Sequence, residues 1–397
     1  MTSFVLFDDA AARRFEPFAL TRPCGELRAG ALLVRERWAH ALRGSAFGHV
    51  SSPHLADFAE LDATPCLGDT TIPAGTVLVN ARFCPVLAAL PAADVWTAAG
   101  QVAAVRLGVT IDAGALTGGG FTLESLVPDG ASSVSIDGWW LEAPWDLVRH
   151  LTAMLASDIV ALAPAIDRRP TTGLTVLGDH EVVIEHGATI EPLVVFDASA
   201  GPILVRTGAS VAAFTRLVGP TCIGAGSQVA GGKVGPVSIG EHCRVHGELS
   251  TSIFIGHANK GHDGFVGHSV LGRWCNLGAS TVTSNLKNTY GTVHLWTPDG
   301  ERDTGLQFLG TLLGDHAKTA IGTRLMTGSV VGAGANVVGG GHAPRVVSPF
   351  AFKDEVYRLD KFLDVAARVM ARRHVVLGDR ERAHLARVHA ARWSVSR

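Results

Sequence analysis

The residues best suited to chemistry lie between Ser250 and Tyr290, in STSIFIGHANKGHDGFVGHSVLGRWCNLGASTVTSNLKNTY. Asn259, Lys260, His262, Asp263, Asn276, Asn285 and Lys287 fall there between the apolar-glycine steps Ile255-Gly256, Val266-Gly267, Leu271-Gly272 and Leu277-Gly278. A scaffold holding only itself together does not need so many titratable and hydrogen-bonding side chains. A histidine in such a stretch can take a proton from an attacking amine or hydroxyl, because its unperturbed pKa lies near neutrality. His262 leads, ahead of His246, His257, His268, His316 and His342, because Lys260 beside it could bind a phosphate and Asp263 could orient an imidazole. Against it stands the count of 17 histidines, any one of which, taken blindly, is more often structural or solvated. Asn276 and Asn285 are either substrate contacts or corner and ladder residues of a repeat. Lys233, in GGKVG, and Lys287 are phosphate ligands or solvated turns.

A second candidate group sits near the N-terminus. Arg22 and Arg28 flank a glycine-containing turn between a strand and a helix, where guanidinium forks and a helix N-terminus both favour phosphate. The plainer reading is that they brace the turn by pairing with Asp8 or Glu26. Asn80 directly follows an apolar strand, at the end where open α/β sheets bind ligands; it is a weak metal-ligand candidate and otherwise a turn residue.

Composition narrows the class. The chain has 397 residues, 47% hydrophobic and 18% charged, enough for two or three domains around a large core. With 34 basic and 36 acidic residues the net charge is -2, which gives no electrostatic footprint for nucleic acid or an anionic membrane. Small molecules and copies of itself are the expected partners. The six cysteines form no C-x-x-C pair, and His242-Cys243 with His246 has no second ligand pair at zinc spacing, so reduced, buried thiols in a cytoplasmic protein are expected. The start, MTSFVLFDDAAARR, lacks the long apolar core of a signal peptide, and no run of about 18 apolar residues predicts a membrane span.

The positioning elements follow from periodicity. Phe4 to Phe7 reads as a buried strand stopped by Asp8-Asp9, and about Glu26 to Leu42 has helical spacing. Thr76 to Val79 and Val102 to Val105 read as strands. A helix is predicted from near Asp146 to about Ala161, after Pro144-Trp145, with APAIDRRPTTG as a linker. From about Leu177 apolar residues recur every six: Ile184, Ile190, Phe196, then Val211, Leu217, Ile223, Val229. Six-residue periodicity builds a parallel β-helix whose inward aliphatic residues stack coil on coil. The step is lost between about Thr283 and His316 and resumes at Leu325, Val331 and Val337. Two Arg-rich helices are predicted after Pro349, capping the open end of the β-helix, whose strand edges would otherwise be unpaired. The expected organisation is an α/β nucleotidyltransferase-like, Rossmann-like domain (1–143), a linker helix and linker (144–176), a β-helix (177–347) and a helical cap (348–397).

LTRPCGELRAGALLVRERW, PWDL, and above all NKGHDGFVGHSVLGRWCNLGASTVTSNLKNTYGTV with DTGLQFLGTLLGDHAK resemble the GlmU-like family of sugar nucleotidyltransferases. The family is described as UDP-N-acetylglucosamine diphosphorylase/glucosamine-1-phosphate N-acetyltransferase. The resemblance is specific over residues 4 to 38 and 250 to 318 and loose between 50 and 140. It implies a nucleotidyltransferase domain using Mg²⁺, and a left-handed hexapeptide-repeat β-helix that acetylates a hexosamine 1-phosphate from acetyl-CoA as a homotrimer. The related acetyltransferase motif is a His, an aromatic three residues later, then N-I-G-A-G-T-x-x-x-N. Here those positions are His262, Phe265 and Asn276 to Asn285. The resemblance makes His262 the general base, Asn276 a residue orienting it or the substrate, and Asn285 and Phe265 substrate contacts. Phe265 replaces a tyrosine, Ser250 a lysine, and the G-x-G-x-R-M…P-K phosphate signature is absent, leaving Arg22 and Arg28 as its visible substitutes. Two other readings remain: a sugar-1-phosphate nucleotidyltransferase whose β-helix only oligomerises, and a non-catalytic sugar-nucleotide-binding scaffold.

Overall fold

The structure is a computed structural model and describes residues 2–393. It divides into two compact units, one running to Asp146 and including Gly378–Ala391, the other built on Leu147–Leu377.

The first unit is built on a mixed six-stranded sheet, in spatial order Ser133–Ser135, Val95–Ala98, Gln101–Arg106, Val77–Asn80, Thr2–Phe7 and Gly44–Val50. Thr2–Phe7 is an interior strand, parallel to both Gly44–Val50 and Val77–Asn80. Phe4, Val5, Leu6 and Phe7 are all buried, as a strand covered on both faces requires. The predicted helix from about Glu26 is shorter than its apolar spacing suggests and runs Val34–Leu42. Residues Arg28–Ala29 and Leu32–Leu33 pair instead as a tight hairpin, with Gly30 at φ +66° making the turn. Helix Asp379–Ala391 clusters with this unit, and its His384 ring bonds the Thr21 carbonyl at 2.9 Å.

The second unit is a parallel β-solenoid. Its coils run through three faces of short strands. One face starts at Val182–Ile184 and has nine strands; a second starts at Thr189–Ile190 and has ten; the third starts at Thr175–Leu177 with six and continues from Val282–Thr283 with three more. The inward residues are those of the sixfold step: Ile184, Phe196, Val211, Leu217, Ile223, Val229, Ile239, Val245, Leu325 and Val331 share one core. An excursion leaves after Thr283, forms the hairpin His294–Thr297 with Gly300–Asp303, and rejoins at Thr311–Leu313. Helix Leu359–Ala371 does not seal the end of the coil. It lies along one flank, its Phe362 against His316 and Phe350 and the following Arg373 donating to the His242 carbonyl at 3.3 Å. The terminal strand edge is closed by the hairpin Ala351–Phe352 with Glu355–Val356. Helix Asp146–Leu162, with the turn to Ala165, is long and apolar enough to cross a bilayer by composition. Leu147, Leu151, Met154, Leu155 and Ile159 on it are fully buried at helical spacing, as in a packed core helix.

Candidate functional site

In the first unit, three neighbouring strands bring their C-terminal ends together. Thr2–Phe7 runs into Asp8 and Asp9, Gly44–Val50 into Ser51, and Val77–Asn80 ends on Asn80, opposite Phe7. Ligands of open α/β sheets bind outside such strand ends. Asp8 is buried and accepts from the Cys24 amide at 3.2 Å and from the Ser51 hydroxyl. Its burial raises the carboxyl pKa, against these bonds. Asp9 takes Arg82 Nε on both oxygens at 2.9 Å, Asn80 Nδ2 at 3.0 Å and the Ala12 amide at 2.9 Å. Arg82 also reaches Glu142 at 2.9 Å and lies over the Trp140 ring. Although burial opposes it, this bonding holds the Asp9 carboxyl below its ordinary value.

These bonds decide what the cluster can hold. Asn80 spends its amide nitrogen on Asp9 and its oxygen on the Arg82 amide at 2.9 Å, so both ends of its side chain are engaged by the protein rather than by a metal. Asp9 is saturated by donors, and among the described residues no group of three His, Cys, Asp or Glu side chains is placed to hold a metal ion. The residues here therefore do not fit a protein-held Mg²⁺.

Arg22 and Arg28 are both buried braces rather than ligand arms. Arg22 is 1% exposed and grips Glu60 with two nitrogens, at 2.8 and 3.0 Å. Its ion-pair partner Glu60 lies 38 positions away, and its Nη1 also reaches the Glu26 carbonyl at 3.5 Å. Arg28 donates to the Ala31 carbonyl at 2.7 Å, closing the hairpin. Glu26 instead accepts from His49 at 3.0 Å and Arg35 at 2.7 Å. Burial alone would raise the Glu26 carboxyl, but those two partners hold it down to about 2.

On the solenoid, Lys260 occupies an inward aliphatic position, in register with Val245. It is 0% exposed, and its Nζ donates to the carbonyls of His262 and Asp263, the latter at 2.9 Å. Burial lowers its pKa to about 8. The ammonium is therefore committed to holding a corner from inside and is not presented to a phosphate. That corner needs Gly264, at φ +136°, where a Cβ would stand 2.2 Å from the Thr281 carbonyl oxygen of the next coil. His262 projects from the same corner, exposed, and its ring bonds no described residue. Asp263 does not orient it; its carboxylate lies 3.3 Å from His246.

Phe265 opens the strand after His262, and Asn285 follows the strand stacked on it. Both crowd Gly267, whose added Cβ would lie 2.4 Å from the Phe265 ring and 2.6 Å from Asn285 Nδ2. Asn285 Nδ2 donates to His268 Nδ1 at 2.8 Å, and the His268 ring stacks on Phe308. Burial pushes the His268 imidazole down to about 4, so it is neutral near pH 7, and with Nδ1 accepting, its proton sits on Nε2. Asn276 belongs to another face: it stacks between Asn259 and Lys318 and accepts from Asn259 Nδ2 at 2.8 Å. Phe265 and Asn285 thus meet at Gly267 on the third face, His262 projects from the corner before it, and Asn276 lies on another face. Lys233 is exposed on that third face, 3.8 Å from Glu248, and Lys287 donates to the Thr292 carbonyl at 2.7 Å at the edge of a cavity of about 510 Å³ with Arg345 and Thr327.

Three features escaped the sequence. The Asp9–Arg82 pair joins residues 73 apart. His268 is one histidine among many until the fold brings Asn285 to it. His257, Trp274 and His316 stack as ring neighbours along one corner, each at positive φ; their unequal sequence spacing hides that register.

The strand-end polar cluster thus belongs to a mixed α/β unit, and His262, Phe265, Asn276 and Asn285 to a parallel β-solenoid. A family described as sugar nucleotidyl transferase matches residues 4–165, the segment that contains nearly the whole sheet. The bifunctional protein GlmU of Methanococcus aeolicus is 23% identical over 217 residues, 53% of this chain and 46% of that protein. GlmU of Methanocaldococcus jannaschii is 33% identical over 85 residues, 21% of each chain. The chain thus spans less than half the length of these curated relatives. Among solved structures, a hexapeptide transferase family protein from Anaplasma phagocytophilum is 12% identical, covers 49% of this chain and 91% of its own, and has a TM-score of 0.25. Over residues 4–165 the chain is thus similar to sugar nucleotidyl transferases, and over about half its length to GlmU proteins.

Proposed function

We propose that the chain is a cytoplasmic transferase of amino-sugar nucleotide synthesis, whose first unit joins a nucleoside triphosphate to a sugar 1-phosphate. The observation that carries this reading is the coincidence of the sugar nucleotidyl transferase match, residues 4–165, with the sheet whose strand ends carry Asp8, Asp9, Asn80 and Arg82. A phosphate oxygen of the sugar 1-phosphate attacks the α-phosphorus, the bond to the bridging oxygen breaks, and pyrophosphate leaves. Arg82, fixed by Asp9 and Glu142, positions the strand-end loop that meets the substrates. Mg²⁺ enters, on this reading, with the triphosphate as part of the substrate.

A second activity is favoured by one observation, the exposed His262 ring at the corner that leads into the strand opened by Phe265. In it His262 takes a proton from the amine of a hexosamine 1-phosphate such as glucosamine 1-phosphate, the nitrogen attacks the acetyl-CoA carbonyl, and the CoA thiolate leaves. Asn276 lies on a different face of the same chain, so on this reading a homotrimer supplies it from a neighbouring copy. The test is incubation with UTP, N-acetylglucosamine 1-phosphate, glucosamine 1-phosphate and acetyl-CoA, with products read by mass spectrometry. Uridylyl transfer should fall about 10²-fold in Arg82→Gln through misplacement. Acetyl transfer should fall about 10²–10⁴-fold in His262→Ala with uridylyl transfer unchanged. Acetylation undiminished in His262→Ala removes that residue's role; absence of any nucleotide product removes the first reading.

A further inference from the structure

Between the second face of the solenoid and the C-terminal end of helix Leu359–Ala371 lies a cavity of about 250 Å³. Donors converge on it from both sides. From the sheet come Asn276 and Lys318, adjacent in register, with Asn259 and the edge of Trp274; from the helix end come Arg372 and Arg373. Among the described residues that line it, none is an Asp or Glu. Glu241, on a nearby coil, is held by Arg273.

The hydrogen-bond assignments make this a donor cavity. Asn276 accepts from Asn259 on its Oδ1, which leaves both Nδ2 protons for the cavity. Lys318 has three N–H donors, and among the described residues the His316 carbonyl, at 2.8 Å, is the one acceptor it meets. Arg373 uses Nε on the His242 carbonyl, and its two terminal nitrogens meet no described acceptor. Burial and then repulsion from Arg244 and Arg372 lower its pKa, and burial lowers that of Lys318 to about 8. His257, held neutral by burial and by Arg273 with its pKa lowered to about 3, adds no charge. Cations after a helix's last turn are favoured by its dipole, which accounts for Arg372 and Arg373. It does not account for Lys318 and Asn276, which face them from a different element. Crowded cations without a counter-charge are relieved by an anion, and planar guanidinium forks beside an ammonium suit phosphate oxygens. The volume, below the usual span for organic ligands, fits a phosphate group with little attached.

We propose that this cavity is a binding site for a phosphate group, free or carried as a small phosphomonoester, held by Lys318, Arg372, Arg373 and Asn276. It is distinct from the strand-end cluster of the first unit, and of its residues Asn276 alone is shared with the acetyl-transfer reading above.

Isothermal titration of the full chain at low salt, first with inorganic phosphate and then with glucose 1-phosphate, tests it. One saturable phosphate site is expected, weakening as salt rises. Lys318→Gln and Arg373→Gln should each weaken it about tenfold or more, the ordinary worth of one charge-assisted bond. Arg372→Gln, at an exposed position where folding is not at stake, should weaken it in the same direction. Glucose 1-phosphate binding tighter than phosphate supports an organic phosphate; equal affinity supports phosphate itself. Absence of saturable binding up to about 10 mM overturns the proposal, because a site of that donor number should bind more tightly than the millimolar range. So does binding that survives all three substitutions, or that is lost in Arg82→Gln and not in them.

Discussion

Replacing Lys260 with methionine should stabilise the solenoid near neutral pH and remove part of its pH dependence. Lys260 stands in an aliphatic column, in register with Val245, with 0% exposure. Burial moves its pKa from 10.5 to about 8. At about 1.4 kcal/mol per pH unit, the protonated side chain is disfavoured in the fold by about 3 kcal/mol relative to the unfolded chain. The sign follows from proton counting. Between pH 8 and 10.5 the unfolded chain holds more protons than the folded one, so wild-type stability rises with pH across that window. Methionine fills a similar volume without a charge and gives up the bonds to the His262 and Asp263 carbonyls, a loss that does not vary with pH. Chemical denaturation of wild type and Lys260→Met at about pH 7, 8, 9 and 10 measures the gap across the titration. The variant should be more stable at the neutral end, with the gap narrowing by about 2 kcal/mol or more at the alkaline end. Differences isolate Lys260 from Lys318, which titrates in the same range in both proteins. A gap constant with pH would refute the reasoning whatever its sign, because packing changes alone carry no proton.

Arg22→Ala should cost about 3–5 kcal/mol by breaking the buried ion pair with the Glu60 carboxylate, 12% exposed; thermal unfolding reads this, and a selective rise in KM for a phosphate substrate with unchanged stability would instead restore Arg22 as a ligand. Glu26, held down to about 2 against an ordinary 4.5, contributes stability that is complete above about pH 4.5 and is lost as pH falls toward 2, about 3 kcal/mol in all. Acid unfolding of wild type and Glu26→Gln should converge across that window, and parallel curves would refute the assignment.

What could be read in advance and what could not have separate physical causes. The solenoid is legible because its constraint is local and repeated: each coil must put an aliphatic side chain inward at a fixed step, so Val211, Leu217, Ile223 and Val229 announce the register on their own. The same logic makes Lys260 misleading. It occupies an inward position, yet a lysine is ordinarily read as exposed, and only the column on either side of it reveals that the ammonium turns inward to hold a corner. The strand at Phe4 to Phe7 is legible for the same local reason, as is the helix after Pro144. The hairpin before Val34 is not, since a glycine turn inside an apolar periodic stretch leaves the helical pattern intact on paper while breaking it in φ. Charge partnerships are the least legible, because they are decided by chain paths rather than by spacing: Arg22 with Glu60, Asp9 with Arg82, Asn285 with His268 and Lys318 beside Asn276 each join residues 17 to 73 positions apart. A buried guanidinium or ammonium must find its acceptor wherever the fold brings one. Polar residues selected from sequence as ligands therefore divide, once folded, into those whose donors are spent on the protein, as in Arg22, Arg28, Asn80 and Lys260, and those left open to a ligand, as in His262 and Asn276; function is to be sought among the second kind.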